Sequence, residues 1–284
     1  MRWPRPALPI AVLAVLTACV PPRRAPSAWV PPGTSPPAPT PSTLDRSPHL
    51  ALGTPHDADD SDDLLLDRSV YVTSYNPRKN VANWVSWALD ARDLGPESRN
   101  DHFHADDALP TGVYRVKPAD YAKTGFDRGH LCPSADRTRT PEENALTFLM
   151  SNMHPQAPEL NRGDWKKLEE HERTLAKQGH EVFVVAGGVF GASPRTIGHG
   201  VAVPDAEYKI LVVLDKGQGA ADVTEQTSVI AVVMPNDASV KDHRWTDYVV
   251  TVDEVERQTG YDFLPRVPEA IQQVIEARRA TPPR

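Results

Sequence analysis

The sequence predicts an α+β domain with a central, largely antiparallel sheet flanked by helices. Two observations predict it. Runs of strand length rich in β-branched and aromatic residues recur along the chain, and between them lie a few segments with helical start signals and helical apolar spacing. In order, Leu64-Leu65-Leu66 and then residues 70–75 read as strand, stopped by Asn76-Pro77. Residues 81–89 alternate and form the hairpin partner, whereas 99–107 are polar and predict a loop. Thr140-Pro141-Glu142-Glu143 is a capping box with proline at the first helical position. Residues 160–178 carry Trp165, Leu168, Leu175 and Ala176 at helical spacing. Strands follow over 181–186, 208–214 and 229–234; Thr251-Val252-Asp253-Glu254 opens another helix, and 267–279 read as helical.

The 284 residues, 39% hydrophobic and 24% charged, suit one globular domain plus additional segments. Residues 1–18 predict a secretion signal: Arg2 and Arg5 precede an apolar stretch from Ala7 to Ala18 that is too short to span a bilayer. Leu16-Thr17-Ala18-Cys19 resembles a bacterial lipobox, which implies lipid on Cys19 and an envelope location; an ordinary cleaved signal with a chance cysteine is the alternative. Lipidation at Cys19 would supply more than one acyl chain, enough to hold a protein on a membrane, and Val20 favours the outer membrane or cell surface. Residues 19–63 are proline-rich and then acidic, from Asp57 to Asp63, and predict a disordered tether with a solvated spacer. The folded domain is then expected over 64–284. The formal net charge of -7 excludes a broadly basic nucleic-acid footprint, so any attraction for phosphate must be local.

The stretch from Asp127 to Arg173 carries the chemistry. It holds a histidine, two asparagines, and a helix that begins near the second of them, a mixture no aliphatic core requires. Hydrolysis of a phosphodiester needs an activated water, charge neutralisation on the phosphoryl oxygens and help for the leaving oxygen. His130 can be the base, because a neutral imidazole is available above a pH of about 6.5 when unperturbed. Asn161 offers a neutral carbonyl oxygen, a hard ligand for a cation that keeps most of its waters, as Mg²⁺ does. Glu169 and Arg173 stand at i and i+4 and can pair on one helix face; Glu169 can equally hold water of the cation.

Asp127-Arg128-Gly129-His130, followed by Pro133, Ala135 and Asp136, resembles the DRGH signature of the DNA/RNA non-specific endonucleases, the ββα-metal family of the Serratia-type and endonuclease G-like enzymes. The likeness continues through Thr147-Phe148, Ser151-Asn152-Met153, Pro155-Gln156, Asn161-Arg162-Gly163, Trp165 and Leu168-Glu169. Upstream it includes Tyr75-Asn76, Asn83-Trp84 and Arg99, and downstream Tyr208-Lys209, Pro235-Asn236 and Glu256, so it covers roughly residues 64–275. It implies the ββα-metal fold, with His130 as general base, Asn161 as the sole direct protein ligand of Mg²⁺ (Mn²⁺ as a substitute) and Glu169 orienting a water of that ion. Asn152 would hydrogen-bond near the site and help hold it together. Arg99 and Arg128 would contact phosphate, and Arg173 would support the substrate side of the helix. The implied activity is cleavage of DNA and RNA with little base preference, leaving 5′-phosphate and 3′-hydroxyl ends, which suits contacts confined to phosphate and sugar.

Other readings stand beside this one. His130 taken alone fits a core histidine, Asn161 a helix N-cap, Glu169 with Arg173 an exposed pair, and Arg99 and Arg128 solvated side chains. Cys132 stands where the family suggests a small aliphatic residue; it reads as a buried free thiol, with a redox-sensitive thiol as the alternative. His102, His104, His154, His180 and His199 show no zinc spacing. The competing functions are a catalytically inactive nucleic-acid-binding surface lipoprotein, which would lack His130 or Asn161, and a structural envelope lipoprotein. The oligomeric state stays open, a homodimer included.

Overall fold

In chain order the strands are β1 (Leu64–Asp67), β2 (Val72–Asn76), β3 (Val81–Leu89), β4 (Asp127–His130), β5 (Met153–Gln156), β6 (Glu181–Val189), β7 (Thr196–Ile197), β8 (Val201–Ala202), β9 (Ala206–Leu214), β10 (Ser228–Pro235) and β11 (Val249–Val250). The helices are α1 (Pro141–Leu146), α2 (Trp165–Lys177), α3 (Val252–Thr259) and α4 (Glu269–Ile275). The structure, a computed structural model, describes residues 44–281. The expected signal, Cys19 and the tether as far as residue 43 lie outside the described residues.

Seven strands form one sheet in the order β1-β2-β3-β6-β9-β10-β11. Every neighbouring pair is antiparallel, as the sequence predicts. Side chains alternate across a strand, so the apolar runs supply both faces. Val85, Trp87, Val184, Leu211 and Val232 face a cluster that includes Trp165, Leu168 and Ala176 of α2. Trp84, Val185, Ile210 and Val229 face a second cluster with Val252 and Val255 of α3 and Ile275 of α4. The sheet is therefore the middle layer of three, which is why its strands are rich in Val and Ile instead of alternating with polar residues.

Local sequence explains the helix ends. Thr140 accepts a hydrogen bond from the Glu143 amide with Pro141 in the first turn, and Thr251 accepts from the Glu254 amide. Gly260, at φ 83°, ends α3 in the left-handed conformation. The C-terminal helix is shorter than expected, because Pro268 precedes its first turn and Glu276 ends it.

Three expectations are corrected here. The folded body does not begin at Leu64. Leu50 and Leu52 are buried in the second core cluster, and the Ser86 hydroxyl donates to the His49 carbonyl at 2.6 Å. The acidic run is not a free spacer either: Asp63 accepts from Asn83 at 3.0 Å and from Tyr261 at 2.9 Å, and Asp62 accepts from Asn76 at 2.7 Å. Prolines mask this packing in the sequence, although Pro48 itself opens a short 3-10 turn. Thirdly, the helix expected over 160–178 is broken at Gly163 (φ -101°, ψ -110°), so residues 160–164 form a distorted turn ahead of α2.

β4 and β5 make a separate two-stranded ribbon, with His130 opposite Met153 and Gly129 opposite His154. The chain runs from β5 through the kinked turn into α2, so two strands and a helix converge on one point. Gly129 is required there, because a Cβ would stand 2.1 Å from the buried Gln156 side chain.

Candidate active site

The ribbon and the helix place a cavity of about 400 Å³ at their junction, lined in part by Arg99, Arg128, His130, Asn161, Glu169 and Arg173. A neighbouring cavity shares Arg99, Arg128 and Asn161 and adds Phe103, Tyr121 and Phe126. Of the expected catalytic, phosphate-binding and metal-ligating residues, all line the first cavity except Asn152.

His130 closes β4 and is only 6% exposed. Its ring meets the edge of Phe148 at 5.0 Å and lies 5.5 Å from Phe103, and its carbonyl accepts from the Trp165 indole at 3.1 Å. Backbone and ring are thus both fixed by aromatic residues. Its Nε2 is buried without a hydrogen-bond partner among the described residues. Burial, then the charges of Arg99 and Arg128, lower the imidazole to about 3, so it is neutral across the physiological range.

Asn161 lies in the distorted turn and is not an N-cap. Its amide donates to the Ala157 carbonyl within the turn, and its side-chain Nδ2 donates to Asp127 at 2.9 Å. A carboxylate can only accept, so this bond sets the amide's orientation and leaves Oδ1 as the free end. Asp127, the first residue of the DRGH run, also holds the Arg162 guanidinium at 2.6 Å and 2.7 Å. Sequence reading gave it no role; its motif position next to Arg128 was the available signal.

Glu169 stands on α2 with part of its side chain toward the cavity. Burial raises its carboxyl to about 7, against the lowering influence of Lys209 and Arg173. Arg173 does not pair with Glu169 as the i,i+4 spacing suggests. It donates instead to the buried Asp136 at 3.0 Å, which also accepts from Trp87 at 3.0 Å. Glu169 therefore keeps its oxygens for the cavity. An unengaged amide oxygen and a carboxylate close by are hard donors, and the pair fits a divalent cation that keeps most of its waters.

Arg99 and Arg128 are held by aromatic faces. Arg128 lies 4.1 Å from the Phe103 ring centroid, and Arg99 lies 5.3 Å from that of Phe148 while pairing with Asp101 at 2.6 Å. Together with Arg162, Lys166 and Arg173 they make the cavity cationic although the chain is acidic, which answers the charge objection locally.

Asn152 is fully buried and does not reach the cavity. Its Oδ1 accepts from the Cys132 amide at 3.0 Å, and its Nδ2 donates to the Cys132 and Thr147 carbonyls at 2.8 Å each. It clamps the chain two residues beyond His130. Asn152→Ala is expected to lower kcat by about tenfold or more and to destabilise the fold by about 1–3 kcal/mol, because three buried partners are stranded. Cleavage rate and urea unfolding check this; a variant of full activity and stability would contradict it. Cys132 is buried and free, and burial pushes its thiol up, so it is packing and not a reactive centre.

The fold and the site agree with what the chain resembles. Residues 49–270 match the family model described as DNA/RNA non-specific endonuclease. A nuclease of a Nostoc species is 46% identical over 237 residues, which cover 82% of this chain and 86% of that protein. Human mitochondrial endonuclease G is 32% identical over 221 residues, covering 72% of this chain and 70% of that protein. A chain in the crystal structure of the EndoG/EndoGI complex, which concerns the mechanism of EndoG inhibition, superposes with a TM-score of 0.68 at 27% identity, covering 84% of this chain and 98% of that one. A common ββα-metal core, the same ordered motif and matches over most of the chain make this protein a nuclease of the DNA/RNA non-specific endonuclease family.

Proposed function

We propose that this nuclease is a Mg²⁺-dependent, sugar-non-specific endonuclease that cuts DNA and RNA to 5′-phosphate and 3′-hydroxyl ends. The observation that carries the proposal is the single cavity in which a neutral imidazole, a free amide oxygen and a carboxylate meet a ring of guanidinium groups. Arg99 and Arg128 bind phosphate and read no base, which gives affinity without sequence preference. With Nε2 sealed, Nδ1 of His130 is the nitrogen left to take the proton of the attacking water. Burial is the main reason His130 stays neutral; the smaller contribution of the Arg99 and Arg128 charges is offset once phosphate is bound, so its basicity rises with substrate in place. A divalent cation on Asn161 Oδ1, with Glu169 holding its water, would supply positive charge to the phosphoryl group and the leaving oxygen. Attack on phosphorus with breakage of the P–O3′ bond gives the stated ends. Digestion followed by ligation or 5′-end labelling tests this: products that require prior phosphatase treatment for 5′-labelling support it, and 3′-phosphate ends overturn it.

The elevated carboxyl of Glu169 sets a pH dependence. At limiting Mg²⁺ the rate is expected to fall as pH drops through about 7, where Glu169 gains its proton. Saturating Mg²⁺ moves the midpoint downward, since a nearby cation favours the carboxylate. Rate profiles from pH 5 to 9 check this; an acid limb that survives unchanged in Glu169→Gln would contradict it.

For location, we propose export and lipid attachment at Cys19, on the strength of the lipobox-like junction Leu16-Thr17-Ala18-Cys19. Incorporation of labelled palmitate in the bacterial host, lost in Cys19→Ala, is the expected result. Equal labelling of both proteins, or of neither, would overturn it.

A further inference from the structure

On the other face of the sheet from α2, three carboxylates converge. Asp253 and Glu256 are three residues apart on α3 and share a face. Glu276 directly follows α4, and its carbonyl accepts from the Asp253 amide at 3.3 Å. One oxygen from each of Asp253, Glu256 and Glu276 lies within 4.8 Å of the others. Two ligands of an ion at about 2.4 Å can be at most about 4.8 Å apart, so the spacing permits a shared coordination sphere. An independent observation concerns Glu276 itself. It is 6% exposed, and its Oε1 is buried with no hydrogen-bond partner among the described residues. Burial holds its carboxyl up at about 8, and the charges acting on it, from Glu256, Asp262 and Asp253, are all negative. An unpartnered buried carboxylate is expensive unless a cation or a proton offsets it.

We propose that Asp253, Glu256 and Glu276 form a second cation site, separate from the nuclease cavity, for a hard divalent ion of the Ca²⁺ class. The donor set is all oxygen, which disfavours zinc-like ions. Asp253 is exposed, so the open side admits the waters or added oxygens that a coordination number of six to eight requires. Glu256 keeps one oxygen for the Phe263 amide, at 2.9 Å, which fixes the carboxylate for ligation by the other. Bound cation would tie α3 to the end of α4 and so brace the C-terminal helices against the sheet. It would stabilise the fold without touching the reaction.

The test is thermal unfolding of the full-length chain carrying Asn161→Ala, which removes the proposed protein ligand in the cavity, titrated with CaCl₂ against a chelator control. The expected result is a saturable rise in Tm of about 5 °C or more. Glu276→Gln and, separately, the surface change Asp253→Asn should each reduce that rise to about 1 °C or less; the second keeps the test meaningful should the first not fold. No Ca²⁺-dependent shift in the parent, or a shift that survives Asp253→Asn undiminished, would overturn the site. So would a Glu276→Gln variant that gains stability without Ca²⁺ beside an unresponsive parent, because that is the behaviour of a carboxyl pair sharing a proton.

Discussion

Replacing His130 with alanine is expected to lower kcat on both DNA and RNA by about 10²–10⁴-fold, the usual contribution of a positioned base. Binding of a short duplex is expected to stay within about twofold, because the phosphate contacts proposed here come from arginines that keep their own aromatic supports. The split between rate and affinity separates chemistry from folding. His130 packs against Phe103 and Phe148, so a variant that lost affinity and rate together would point to collapse of the cavity wall instead. Single-turnover cleavage, alongside fluorescence anisotropy in chelator, measures the two quantities independently.

The second large effect lies beneath α2. Lys209 on β9 and Glu172 on α2 are both fully buried, with Nζ 3.2 Å from Oε2, and Nζ lies 4.6 Å from the Trp165 ring and 5.2 Å from that of Trp87. Lys209→Met is expected to destabilise the protein by about 3–5 kcal/mol, because Glu172 is then buried without its partner. Burial already pushes the Glu172 carboxyl above the usual range, with Lys209 opposing that shift. Without the lysine its pKa rises further, so the carboxyl is protonated and tolerated at low pH, and the loss relative to the parent grows as pH rises beyond the parent's already raised Glu172 pKa. Lys209→Met with Glu172→Leu is expected to recover most of the stability, as buried pairs replaced by apolar side chains do. A urea-unfolding double-mutant cycle checks this; a single-variant loss below about 1 kcal/mol would contradict it. Activity should fall in the single variant too, since Glu169 and Arg173 ride on the same helix.

These two predictions also mark where the sequence was legible. Strand β3 is found at 81–89 as its alternation predicts, and the two threonine caps open α1 and α3 where the capping boxes place them. The same cannot be said of the ribbon that carries His130. Asp-Arg-Gly-His and Met-His-Pro-Gln are too short and too polar for any periodicity, and they become strands only because they pair with each other. Motif likeness, not hydrophobic pattern, made that region visible. Long-range partners were hidden for a related reason. Asp136 takes Arg173 across 37 residues and outcompetes the i,i+4 neighbour Glu169, and no local rule anticipates it. Glu172 occupies an inward position of α2 that the apolar spacing left blank; its counter-ion comes from a strand on the sheet and not from the helix. At the N-terminal end, Leu50 and Leu52 pack under the sheet, but two leucines among prolines do not announce a core.

One cavity, with His130 as its base and a divalent cation on Asn161, is proposed to cleave both sugars. The most direct measurement is cleavage of supercoiled plasmid and of single-stranded RNA by the full-length chain, run with Mg²⁺, with chelator, and as His130→Ala. Metal-dependent loss of both substrates is expected, abolished together by chelator and by the substitution. Cleavage that persists in chelator, or a His130→Ala protein that still cuts one of the two at the parental rate, would contradict it.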